Sequence, residues 1–294
     1  MQPLQWEYRP DGLRAPALIC AFKGWNDAAD AASTAITFVG SALGARRFAT
    51  IDPEDFYDFQ ATRPRIKLVE GQTRQIVWPE VELYEARIPR APRDLILLGG
   101  SEPSFRWRGF SRLIVDVAEA IGVQLVVTLG ALLADVPHTR AVSVTGLASD
   151  PALVARLGLA TSSYEGPTGI VGILHSACQE AGLPSASLWA AVPHYIAAAP
   201  NPKAALALVR KLEGLVGVAV NAADLESAAA DYERQVNLAV QSDPDVQAFV
   251  ERLEQAAGED PEAEPGPLPS GETIARDLQR FLRQRGEDDP PGPA

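Results

Sequence analysis

Four compact apolar runs, at 17–22, 94–98, 124–129 and 187–192, stand out from the polar positions around them and end at glycine, proline or small polar residues. Runs this short and this continuously apolar predict strands buried on both faces, as in a mostly parallel sheet. Between them lie stretches with apolar residues at helical spacing. Ile36, Phe38, Val39 and Leu43 mark a helix that Asp27 and Asp30 open in the manner of a capping box. Phe110, Leu113, Ile114 and Val117 mark a second, and a third runs to about Ala181, with Pro167 placed in its first turn. Weaker strands are predicted at 46–51 and 141–145. From 52 to 88 short alternating stretches (65–69, 74–78, 82–88), broken by Pro64, Gly71 and Pro79, predict a hairpin-like region.

Past Pro202 no strand pattern remains. Helices are predicted at 202–215, 224–241 and 244–256, followed by an acidic, proline-rich linker at 258–271. Ile274, Leu278, Phe281 and Leu282 then give a short amphipathic helix, 272–285, and a disordered tail to 294. Strands alternating with helices argue for a three-layer α/β/α fold with a mostly parallel sheet, occupying 1–200. The remainder reads as a helical extension at 201–257, the linker, and a segment at 272–294. No internal repeat is visible.

Composition changes this picture little, but charge does. The chain has 294 residues and a net charge of −12, and residues 242–294 hold 13 acidic against 5 basic side chains. The body is only mildly acidic and the C-terminal part strongly so. Neither offers the basic face that nucleic acid requires. No apolar run approaches the roughly 18 residues of a membrane span, and residues 1–7 lack the features of a signal peptide. A cytoplasmic protein that engages neither nucleic acid nor membrane is expected. Cys20 and Cys178 both fall in apolar surroundings and read as buried, reduced thiols.

Candidate chemistry sits where strands end, because loops at the carboxyl edge of an α/β sheet line ligand crevices. Asn26 and Asp27 follow the first strand, Ser101 and Glu102 the strand at 94–98, Asp135 and His138 the strand at 124–129, and His194 and Tyr195 the last. Asp27 suits a helix N-terminus but occupies the place an incoming phosphate would take. The turn of Gly166, Pro167, Thr168 and Gly169 is a better anion cradle. His138 or His194 can serve as acid or base, with Asp135 or Tyr195 nearby. Arg106 and Arg108 bracket Trp107 near Phe110, and this patch reads equally as an anion grip or an interface. Three histidines, none at a ligand spacing, give no metal site. No P-loop, G-x-S-x-G elbow or G-x-G-x-x-G occurs, and no cofactor is expected.

Several of these blocks, in order, resemble the proteasome assembly chaperone 2-like family, in particular its actinobacterial branch. They are Gly24-Trp-Asn-Asp27, Glu102-Pro103 with Trp107, Asp135-Val-Pro-His-Thr-Arg140, Tyr164-Glu-Gly-Pro-Thr-Gly169, and Ser187 through Tyr195 with Asn201-Pro202. The resemblance covers about residues 15–240, and a preference for arginine, with lysine only at 23, 67, 203 and 211, fits a high-GC bacterium. It implies a core similar to the purine nucleoside phosphorylase fold, a helical C-terminal extension, and a homo-oligomer, a trimer. Relatives that dock on proteasomes can carry a hydrophobic-Tyr-any tail, whereas this sequence ends Pro291-Gly-Pro-Ala294. Phosphorylases of that fold commonly use a Met-Glu pair, and the only methionine here is Met1.

Two functions remain open. One is a non-catalytic homo-oligomeric assembly or interaction protein, with the patch at Arg106, Trp107, Arg108 and Phe110 as the contact and a further protein as possible partner. The other is a small-molecule enzyme or binder of nucleoside phosphorylase or hydrolase type. Its pocket would be formed by Asn26, Asp27, His138, Gly166, Thr168, Gly169, His194 and Tyr195.

Overall fold

The computed structural model describes residues 3–69, 73–148, 154–155, 160–161, 165–196 and 198–258. In chain order the strands are β1 (Leu4–Trp6), β2 (Ala17–Lys23), β3 (Arg46–Ile51), β4 (Arg65–Val69), β5 (Thr73–Val77), β6 (Val81–Ala86), β7 (Leu95–Ser101), β8 (Leu125–Ala134), β9 (Val144–Ala148), β10 (Ala160–Thr161) and β11 (Ser185–Pro193). The helices are α1 (Ala31–Ala42), α2 (Trp107–Ala120), α3 (Ile170–Glu180), α4 (Pro202–Val216), α5 (Ala223–Gln241) and α6 (Pro244–Gly258).

Among the described residues nine strands form one mixed sheet, ordered β1-β3-β6-β7-β2-β8-β11-β9-β10. Its centre, β7-β2-β8-β11, is parallel, and these are the apolar runs of the sequence. Antiparallel strands flank it, β6, β3 and β1 on one side and β9 on the other. β4 and β5 pair with each other in a separate antiparallel hairpin.

The alternation of β2 feeds both sides of the sheet, as strand geometry requires. Ala17, Ile19 and Ala21 join a core with Val39 of α1, Leu208 and Leu212 of α4, and Leu225 of α5. Leu18, Cys20 and Phe22 join the opposite core with Phe110 and Ile114 of α2 and Ile170 and Leu174 of α3. Three layers, helix, sheet and helix, result. Cys20 and Cys178 are buried free thiols in the second core, and burial pushes both thiols up, Cys178 to about 12.

Several local expectations are corrected. α3 begins at Ile170 with Gly169 as its N-cap, so Pro167 lies before the helix rather than in its first turn. The strand expected at 141–145 is β9 at Val144–Ala148. The edge strand β1 was not anticipated: three residues with an intermediate-exposed-intermediate pattern carry too little periodicity. α4 packs on the core with Ala204, Ala205, Leu208 and Val209 fully buried, so the packed layer continues to Val216. Asn201 caps α4 by accepting from the Ala204 N–H at 3.0 Å, and Gly217, at φ 70°, ends it. The expected linker from residue 259 onward, the amphipathic helix and the tail lie outside the described residues.

Candidate functional site

At the carboxyl end of β2 the chain turns through Gly24, at φ 136°, leaves Trp25 exposed, and buries Asn26 and Asp27. It then makes a 3-10 turn, Ala28–Asp30, in which Ala29 (φ 50°) and Asp30 (φ 52°) are consecutive left-handed residues. Neither is glycine, so the turn stores strain of the kind that surrounding contacts must hold in place. The holding contacts are visible. Asp27 Oδ1 accepts from the Ala32 N–H at 2.7 Å and the Ser33 N–H at 3.2 Å, and the Asn26 carbonyl accepts from the Ala131 N–H of β8 at 2.8 Å. Asp27, not Asp30, therefore caps α1. Burial pushes its carboxyl up, opposed by the bonds from Ser33 and Ala32, and its Oδ2 is buried with no hydrogen-bond partner.

The next loop brings Glu102 to the same place. Its N–H bonds the Lys23 carbonyl at 2.8 Å, and its Oε1 accepts from the Ile170 N–H at 2.8 Å and from Asn26 Nδ2 at 3.3 Å. Gly169 fits here because it has no side chain: a Cβ would lie 2.2 Å from Asn26 Nδ2 and 2.7 Å from Glu102 Oε1. Two helix N-termini thus meet at this edge, and each already holds a carboxylate of this chain, Asp27 on α1 and Glu102 on α3. Backbone amides and dipole that would cradle an anion are spent internally. Asn26, Asp27 and Gly169 are brought together, whereas Gly166 and Thr168 lie on the exposed approach to α3.

His138, His194 and Tyr195 form a separate cluster. Tyr195 Oη accepts from the His138 N–H at 2.7 Å and lies 2.7 Å from His138 Nδ1, while His138 Nε2 is 2.9 Å from Asn237 Oδ1 of α5. One set of roles satisfies every atom: Nε2–H donates to Asn237, and Nδ1 accepts from the tyrosine hydroxyl. Lys203 of α4 donates to the His138 carbonyl and pairs with Glu233 at 2.8 Å. The half-exposed His194 bonds Asp135 at 2.8 Å, and its ring and that of Tyr195 pack edge-on against Phe249 of α6 at 5.5 and 5.7 Å. The expected pairings with Asp135 and Tyr195 exist, but they fasten α5 and α6 to the ends of β8 and β11. The cavity of about 150 Å³ beside His138 is lined by Pro193, Asn201, Lys203 and Tyr232, not by Asp27 or Gly169.

The arginine–tryptophan patch is only partly a surface. Phe110 is fully buried, with ring contacts to Phe22 and Phe56 at 5.9 and 5.2 Å, which follows from its place at helical spacing with Ile114. Trp107 is half-buried and donates through Nε1 to the Pro103 carbonyl at 2.6 Å. Arg106 is exposed, left-handed at φ 56°, and paired with Asp55 at 2.9 Å, and Arg108 is exposed. A larger cavity, about 610 Å³, opens between α1 and the start of β6, lined by Ile36, Trp78, Glu80, Glu82, Tyr84 and Leu97 among others. No group of three or more metal-ligating side chains occurs among the described residues.

Sequence reasoning missed Glu102 as the residue that joins the two loops, and Asn237 and Phe249 as the partners of the histidines. Glu102 had a signal, its place beside Ser101 at a strand end. The other two lie on helical faces with nothing local to mark them.

Comparison with known proteins gives a consistent result. The PAC2 family model matches residues 21–240. A PAC2 family protein from Streptomyces avermitilis is 47% identical, with a TM-score of 0.75 over 80% of this chain and 99% of its own. A proteasome-assembly chaperone homologue from Mycobacterium tuberculosis is 43% identical, with a TM-score of 0.73 over 80% of this chain and 99% of its own. An archaeal proteasome activator from Pyrococcus furiosus, 18% identical with a TM-score of 0.62 over 80% of this chain and 97% of its own, shares the fold. No curated protein matches the chain significantly. Among the described residues no helix is long and apolar enough to cross a membrane. The chain belongs to the PAC2 family.

Proposed function

We propose that this chain is a non-catalytic, chaperone-like interaction protein that works in the cytoplasm as a homo-oligomer, with a trimer as its expected state and a proteasome component as the class of partner. The observation that carries the reading is the self-capping of α1 and α3 by Asp27 and Glu102, which takes up, among the described residues, the amides of Ala32, Ser33 and Ile170 that an anion would use. The histidines support it too, because His138 is committed to holding α5 and the cavity beside it is lined by neither Asp27 nor Gly169. The names of the Mycobacterium and Pyrococcus relatives supply the partner class. Isolation of the tagged chain from its own cells, at physiological salt, is expected to recover a stoichiometric protein partner. Recovery of the chain alone in repeated preparations overturns the reading.

A second reading keeps one observation on its side: the buried Asp27 Oδ2 has no partner, as a ligand-binding carboxylate awaiting a donor would. It makes the chain a small-molecule binder or enzyme of nucleoside phosphorylase or hydrolase type. A thermal-shift panel of nucleosides, nucleotides and sugar phosphates separates the two. A ligand at about 100 times its Kd adds about 2.7 kcal/mol to stability. A shift that Asp27→Ala abolishes establishes the second reading, and a flat panel removes it.

A further inference from the structure

The hairpin of β4 and β5 stands outside the nine-stranded sheet. Its strands pair only with each other, and all ten of their residues are exposed. The register sets Ile66 opposite Ile76 and Leu68 opposite Arg74, so one face carries these four side chains, with Ile66, Leu68 and Ile76 each more than half exposed. A lone two-stranded hairpin is marginal in water, and one presenting branched apolar side chains and two open edges is a surface for another chain.

Charge says which chain. Residues 63–77 hold four basic side chains and one acidic in a protein of net charge −12, with Arg74 on the apolar face and Arg65 and Lys67 on the other. The complementary surface lies on the same molecule, at the mouth of the 610 Å³ cavity. Ile36, Tyr84, Trp78 and Val77, the last residue of β5, give it apolar walls, and Glu80 and Glu82, with Lys23 as the one basic residue, give it charge. Arg47 already pairs with Glu82 and Glu7, each at 2.6 Å, so Glu80 faces an acidic surplus. Its carboxyl is pushed up by burial first and then by Glu82, with Asp52 and Glu7 adding to it against the single pull of Arg47.

We propose that the hairpin is a self-assembly arm: its Ile66, Leu68, Ile76 and Arg74 face seats on the Glu80 cavity mouth of a second copy of this chain. Each copy gives one arm and receives one, a head-to-tail contact that closes into a ring when the rotation allows. The proposal rests on the reading of the chain as a self-associating interaction protein and names the element that does it.

The test is the mass of the full chain by light scattering across a dilution series, with hydrogen exchange of 65–77. The expected result is a mass above the 31.4 kDa monomer. Arg74→Glu and Glu80→Arg should each weaken association about 10-fold or more, and the two together should restore it. Amides of 65–77 should be protected in the oligomer and lose protection on dilution. If the wild type associates but the single variants keep its mass, or the double variant fails to recover, the arm is wrong while the self-associating reading stands. A wild type of monomer mass at every concentration overturns both. If the hairpin stays protected in the monomer and loses protection when the chain is ended at Gly258, its occupant is this chain's own C-terminal segment and the proposal falls.

Discussion

Asp94 precedes β7 and receives the Arg14 N–H at 2.8 Å, the Ile88 N–H at 2.8 Å and Arg14 Nη2 at 2.9 Å. Burial pushes its carboxyl up, but the bonds from Arg14 and Ile88 outweigh burial and hold it below its ordinary 3.8. Asp94→Ala is expected to cost about 2–3 kcal/mol at neutral pH, since hydrogen bonds to a charged group are lost together. A depressed carboxyl contributes stability above 3.8 and loses it as pH falls through the folded value. Urea unfolding should therefore show the gap between wild type and variant closing in acid. Asp27 carries the opposite sign. Its carboxyl is raised from 3.8, so the folded state holds the proton more tightly, and that advantage is lost as pH rises through the folded value. Asp27→Asn retains an acceptor for Ala32 and Ser33 and should gain stability relative to wild type as pH rises from 3.8. Asp27→Ala, which removes the cap, should lose about 1–2 kcal/mol.

Two elements depend on single positions. Gly169→Ala would drive a methyl into the side-chain ends of Asn26 and Glu102, at 2.2 and 2.7 Å, so these side chains or the start of α3 must shift. Overpacking of this kind costs about 1–3 kcal/mol, read as a lower Tm with faster amide exchange at the start of α3. His138→Ala removes the acceptor of the Tyr195 hydroxyl, which keeps only the bond from the backbone N–H of residue 138, and leaves the Asn237 carbonyl without its partner, a loss of about 1–3 kcal/mol. Exchange should quicken in α5 and α6 while β2 and β7 stay protected. The legibility of the elements follows from the same physics. β2, β7, β8 and β11 were readable because strands buried on both faces are continuous apolar runs. The start of α3 is hard to read because Gly166-Pro167 imitates a helix opening that Gly169 provides three residues later. Phe110 stands at helical spacing with Ile114 and Val117, and that spacing, rather than its place beside Arg106 and Arg108, decides its burial. The site was less readable than the fold, because the bond from Asn26 to Glu102 spans 76 residues and that from His138 to Asn237 spans 99. No local pattern encodes such meetings.

For the whole molecule the deciding feature is that β2 belongs to both cores. Leu18 and Ile19 are adjacent in sequence and fully buried on opposite faces of the sheet. Leu18→Ala and Ile19→Ala are each expected to cost about 2–5 kcal/mol and to lower the midpoint of one shared transition, measured by calorimetry. Separate melting of the two helix layers would contradict that coupling. The self-capped helix ends carry a consequence of another kind, for protein engineering. Asp27 and Glu102 act as plugs, and Asp27→Gly with Glu102→Gly would uncover the amides of Ala32, Ser33 and Ile170 at two positive helix ends along one sheet edge. The two carboxylates thus stand where an added oxyanion would otherwise bind.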